Sequence, residues 1–153
     1  MASRNGSRAW QTVFSVAFRL TPRRLTLAMR DRDASSPLRE VLVVGHETGR
    51  QQRITLSVFE IGGRWYAGHP NGQHAEWVRN MRAARSATVI GRDGRPVQVV
   101  CIPLEPGAER DAAIAATSRQ PFPANLLYRA ARRHVTAAGD YFRLQPLDGQ
   151  TID

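Results

Sequence analysis

Two glycine turns and one tryptophan-bearing segment carry the residues best suited to hold an anionic ligand. Thr48-Gly49-Arg50 opens a run that ends at Arg53. A guanidinium presents a planar fork of donors that matches phosphate and carboxylate. Arg50 and Arg53 lie on either side of a loop-to-strand boundary. They could grip one phosphate from two directions, with Gly49 permitting close backbone approach. A pair of solvated surface arginines is the plainer alternative. Further along, Asn71-Gly72 precedes a helix start, where free amide donors suit an anion, although an ordinary turn would read the same way. Trp77, Arg79 and Asn80 follow on that helix. Trp77 is most simply a core residue, and otherwise a wall for a ligand.

Other chemistries find little footing. His46, His69, His74 and His134 are scattered and lack a ligand spacing such as HExxH, so no metal site is expected. His69 and His74 share one loop and could line a pocket, or could simply be exposed. No GxSxG elbow marks a nucleophilic serine. GxxxxGK is missing, which argues against a P-loop, and no GxGxxG marks a dinucleotide fold. Cys101 is the single cysteine and sits in an apolar run, which predicts a buried, inert thiol and a reducing, cytoplasmic setting.

The formal charge is +9, and every cationic side chain other than histidine is arginine. That excess favours an anionic partner: a cofactor, a lipid surface or a nucleic acid. Nucleic acid is the weakest of the three, because no aromatic RNP-like strand, zinc finger or basic heptad helix accompanies the charge. No apolar run approaches the length of a membrane span. Neither does the N-terminus carry a signal-peptide core or cleavage site.

The elements that must position these residues fit one domain. Trp10, Val13, Phe14, Ala17 and Phe18 have helical spacing, and Pro22 closes or kinks that helix. A short helical piece over Arg24 to Met29 and a linker over Asp31 to Pro37 complete an N-terminal extension, residues 1–37. The apolar stripe beside its arginines could pack on this domain, on a second copy of the chain, or on an anionic membrane as a peripheral contact. Strands are predicted at Glu40 to Val44, Ile54 to Phe59, Arg64 to Gly68, Thr88 to Ile90, Val97 to Ile102 and Tyr141 to Leu144. Gly62-Gly63 and Asp93-Gly94 read as tight hairpin turns. Helices are predicted over Ala75 to Ala84, Ala108 to about Ser118, and Ala124 to His134, the last after the break at Pro121-Phe122-Pro123. The hairpin links are too short for parallel crossovers. The expectation is therefore a mainly β domain, residues 38–147: an antiparallel barrel of about six strands with flanking helices. Residues 148–153 read as a flexible tail.

Taken in order, Thr48-Gly49-Arg50-x-x-Arg53, a hairpin, Asn71-Gly72, and Trp77-x-x-Asn80 with its arginine-rich continuation resemble the deazaflavin-dependent nitroreductase family of actinobacteria. The match runs from about Leu42 to Leu147. It departs at Ala75, where relatives often have proline, at Asn71, where they often have glycine, and at Val78, where they often have an aromatic residue. The resemblance implies a split β-barrel of the FMN-binding type. It also implies a cofactor, coenzyme F420, with FMN as the alternative. The implied activity is hydride transfer from F420H2 to a small-molecule electron acceptor: a quinone, an activated alkene or a nitroaromatic compound. By position it implies cofactor contacts at Thr48, Gly49, Arg50, Arg53, Asn71, Gly72, Trp77, Arg79 and Asn80. Tyr128 falls in the late helix, where relatives place a tyrosine near the substrate; a phenol there could serve as a catalytic hydrogen-bond donor. The other reading is a non-catalytic binder of flavin, haem or lipid on the same barrel.

Overall fold

The computed structural model describes residues 4–20, 36–117, 119–120, 124–147 and 149–153, with side chains from Ser7 onward. The helical piece expected over Arg24 to Met29, most of the linker and the Pro121–Pro123 break lie outside the described residues.

Burial alternates along the strands, even where the residues form an apolar run. In β1 (Leu38–Val44), Val41 and Val43 turn inward, while Leu42 and Val44 face out. β2 (Gln51–Ser57) pairs antiparallel with it, Val41 opposite Ile54 and Val43 opposite Gln52. β3 (Phe59–Ile61), β4 (Arg64–His69), β5 (Ser86–Ile90), β6 (Pro96–Pro103) and β7 (Asp140–Pro146) complete one antiparallel sheet in the order β2-β1-β5-β6-β7-β4-β3. Both predicted hairpins are present: Gly62-Gly63 joins β3 to β4, and Asp93-Gly94 joins β5 to β6.

The sheet curls for a simple reason. β2 and β3 form its two edges, yet only Val58 separates them in sequence. One residue reaches about 3.5 Å, so the two edges must meet. Val58 is buried, and its N–H donates to the Pro37 carbonyl at 2.8 Å. The result is a split β-barrel with seven strands. The predicted single strand from Ile54 to Phe59 is thus two strands that change partners at Val58.

Two cores result. The barrel interior holds Val41, Val43, Val89, Val99, Cys101, Phe142 and Leu144, closed by Val78 and Met81 of α2 (Glu76–Ala84). Cys101 is buried, and burial pushes its thiol up to about 12, so it is protonated and inert as expected. Ile152 also belongs to this core, and the Arg39 Nε donates to the Asp153 carbonyl at 2.7 Å. The stretch 148–153, expected to be a flexible tail, therefore includes a seated side chain.

The second core lies on the other face of β4 and β7. Tyr66 and Tyr141 meet α3 (Ala108–Thr117), α4 (Ala124–Ala130) and α5 (Arg132–Ala138) there. The helix expected from Ala124 to His134 is two helices that break at Ala131, and the second continues to Ala138. Phe14 of α1 (Arg4–Leu20) is wholly buried in this core, its ring 5.4 Å from that of Tyr128. The N-terminal helix is thus a layer of the domain.

Candidate functional site

The turn after β1 is held by its own backbone. Gly45 N–H donates to the Arg50 carbonyl, and Gly49 N–H to the Gly45 carbonyl, each at 2.8 Å. Gly49 sits at φ 65°, in the left-handed region that favours glycine. Thr48 Oγ1 accepts from Arg50 N–H at 3.3 Å.

Asn80 fastens this turn to α2. Its Oδ1 accepts from the His46 backbone N–H at 3.0 Å and lies 2.6 Å from His46 Nδ1. An amide oxygen only accepts, so the network assigns the imidazole proton to Nδ1. Asn80 Nδ2 donates to Gln52 Oε1, and Gln52 Nε2 donates to Glu76 Oε1, both at 2.9 Å. Asn80 is almost fully buried, so this chain of bonds satisfies a polar group that would otherwise be costly.

Around the network lies a cavity of about 220 Å³. Its walls are Gly45, His46, Glu47 and Thr48 of the turn, Gln52 of β2, and Glu76, Arg79 and Asn80 of α2. Arg79 Nη1 donates to the Gln73 carbonyl at 2.8 Å. The lining is hydroxyl, amide, imidazole and guanidinium, with two carboxylates. Such a surface can hold hydroxyl or phosphate groups by hydrogen bonds. Among the described residues no group of three or more His, Cys, Asp or Glu side chains could hold a metal ion.

The structure brings Thr48, Arg79 and Asn80 together here, with Gly49 and the exposed Arg50 on the adjoining turn. Arg53 is elsewhere. Along β2, Gln52, Ile54 and Leu56 face inward, so Arg53 faces outward and pairs with Glu40 at 3.4 Å. Gln52 was legible as a polar residue on the inward period, and His46 as the neighbour of Thr-Gly-Arg. Glu76 gave no such signal.

Asn71 and Gly72 serve another junction. Asn71 Nδ2 donates to the Gln11 carbonyl at 2.9 Å and to Ser15 Oγ at 3.3 Å, both on α1. Its Oδ1 accepts from His134 Nε2 at 2.9 Å, and Ser7 Oγ lies 3.3 Å from His134 Nδ1. Burial, then the charge of His74, lowers the His134 pKa. Asn71 is therefore a clamp between α1 and α5. Gly72 has φ 54°, and a Cβ there would collide with the Ala138 carbonyl oxygen.

Trp77 is half-buried against the barrel core, its ring 6.3 Å from Phe142 and 5.9 Å from His69. His69 accepts from the Asn71 N–H through Nδ1 at 3.1 Å, and burial lowers its pKa to about 4. Tyr128 lies under Phe14 in the second core, away from an open rim; burial, then the neighbouring Tyr141, raises its phenol pKa.

No family model matches the chain, and no curated protein matches it in sequence. Solved structures do share its fold. HutZ, the heme storage protein from Vibrio cholerae, overlays with a TM-score of 0.56 at 14% identity, covering 82% of this chain and 92% of that one. A heme binding protein from Mycobacterium smegmatis overlays at 0.50 with 18% identity, covering 72% of this chain but 46% of that protein. A structure described as an F420-H2 dependent reductase overlays at 0.48 with 15% identity, covering 71% and 94%. At these identities the likeness to the two heme proteins is one of fold alone.

Proposed function

We propose that this chain is a deazaflavin-dependent oxidoreductase. It binds F420H2 at the cavity between the β1–β2 turn and α2, and passes a hydride to a quinone, activated alkene or nitroaromatic acceptor. One observation carries the reading: the Asn80 bonds to His46 and Gln52 join the Thr48-Gly49-Arg50 turn to the Trp77-x-x-Asn80 helix around one polar cavity. These are two of the sequence segments on which the family resemblance rests, and they are distant in the chain; Arg53 and Asn71-Gly72, which the resemblance also uses, lie outside the cavity.

The donor set fits the polar part of that coenzyme. A volume of about 220 Å³ suits a phosphate-bearing chain. Arg79 and the Thr48 hydroxyl would hold the phosphodiester by charge-assisted and neutral hydrogen bonds. The exposed Arg50 on the turn would meet the carboxylates of the glutamyl tail. Asn80 is a positioning residue, since its bonds are to protein groups. When bound, the coenzyme supplies the hydride; the chain binds and orients it.

Fluorescence titration with F420, run beside FMN and with haem followed by absorbance, tests this. Binding of F420 in the micromolar range or tighter, and tighter than FMN or haem, is expected. Arg79→Ala should weaken it by about 1–3 kcal/mol, while Arg53→Ala should leave it within about 0.5 kcal/mol. Equal or tighter binding of FMN or haem would overturn the cofactor assignment. An unaffected Arg79→Ala would move the phosphate out of this cavity.

A further inference from the structure

The N-terminal helix has more apolar surface than its packing uses. α1 buries Phe14 and lays Trp10 against the second core, and it offers the Gln11 carbonyl and the Ser15 hydroxyl to Asn71. On the opposite side, Ala9, Val13, Val16 and Leu20 recur at helical spacing and form a second stripe. Val13 is 42% exposed, Val16 46% and Leu20 75%. Arg8 and Arg19 are exposed and flank this stripe along one side of the helix. The helix contains no acidic residue.

We infer that this outward stripe lays the protein on an anionic lipid surface, with α1 parallel to the membrane plane. Apolar side chains in a row beside arginines, on a helix with no carboxylate, match an interface of acyl chains and anionic headgroups. Among the described residues no helix is long and apolar enough to cross a membrane, so the contact is peripheral. A second copy of the chain fits this stripe poorly. Its helix would bring arginines against arginines, with no acid in α1 to meet them. Four small or medium side chains also cover far less than the roughly 800 Å² per partner of a standard interface. Because Phe14 and Asn71 anchor α1 to the domain, lipid contact would carry the whole barrel to the surface rather than a detached arm.

The test is flotation of the full chain with vesicles of phosphatidylcholine alone, or with about 30 mol% phosphatidylglycerol added. Flotation is expected with the anionic vesicles, with loss of most of it at about 0.5 M salt. Val16→Asp should reduce partitioning by about tenfold or more. Arg8→Gln with Arg19→Gln leaves the apolar stripe intact and should reduce it several-fold on anionic vesicles only. Circular dichroism of each variant checks the fold. Failure to float, equal flotation on neutral vesicles, or unchanged flotation of folded Val16→Asp would overturn the inference. So would sedimentation showing a dimer that Val16→Asp dissociates, which would assign the stripe to a second copy.

Discussion

Asn80→Ala is the most informative single change, because Asn80 holds the candidate cavity without being an exposed part of it. The substitution removes the bonds to the His46 N–H and Nδ1 and to Gln52 Oε1. Each neutral hydrogen bond contributes about 0.5–1.5 kcal/mol net, so the three together contribute roughly 2–4 kcal/mol. The upper end would need the orphaned partners to stay dry. His46 is exposed and Gln52 half-buried, so water can reach both and the lower half of that range is expected. For a chain of this length each kcal/mol shifts Tm by about 2–4 °C, which predicts a fall of roughly 4–12 °C.

Asn80→Asp sharpens the argument. It keeps an oxygen for both His46 donors and removes only the donor to Gln52. A loss less than half that of Asn80→Ala is expected near neutral pH. Scanning calorimetry on the parent and both variants, with F420 titration of each, measures all of this. An Asn80→Ala protein that melts within about 1 °C of the parent would refute the view that this residue fastens α2 to the turn. Parent-like cofactor affinity in the same variant would detach the network from binding.

Phe14→Ala should cost about 3–5 kcal/mol in denaturant unfolding, as for a fully buried core aromatic, whereas Val13→Ser on the outward side should stay within about 0.5 kcal/mol. Equal small effects would mean that α1 is a loose extension. His69 gives a pH signature. Its folded pKa of about 4 lies below the unfolded value of 6.5, so the unfolded state binds more protons between the two. Stability from this group is therefore present above pH 6.5 and is lost as pH falls towards 4; the full loss is at most about 3 kcal/mol. Melting at pH 7 and pH 5 should show it, and His69→Asn, which keeps an acceptor for the Asn71 N–H, should flatten that part of the profile.

Local periodicity made the barrel legible, and partner choice hid the rest. The short apolar run Val41 to Val44 and the alternation at Val97, Val99 and Cys101, together with Gly62-Gly63 and Asp93-Gly94, are enough to predict antiparallel hairpins, because strand propensity and turn geometry are properties of a few neighbouring residues. Val58 was not legible as a boundary. An apolar residue continuing an apolar run carries no sign that the strand changes sheet edge there. Helical spacing likewise revealed an apolar stripe on α1 that grouped Val13 with Phe14. Only the tertiary contact separates them, Phe14 inward and Val13 outward.

The candidate site divides along the same line. Thr48, Gly49, Arg50, Arg79 and Asn80 fall at or beside one cavity because a hairpin turn and a helix start are compact, and a motif spanning each keeps its residues together. Arg53 leaves the group by the parity of one strand residue, a test the sequence allowed, since Ile54 and Leu56 already fix the inward face. Asn71 leaves it for a reason the sequence did not hold. Its partners Gln11, Ser15 and His134 come from both ends of the chain. A side chain bonded on both its amide oxygen and nitrogen, and 2% exposed, holds two elements together and has no donor to spare for a ligand. The same bonds link α1 to the loop before α2. Whatever α1 lies against, lipid or another surface, is thereby mechanically joined to the helix that carries Arg79 and Asn80.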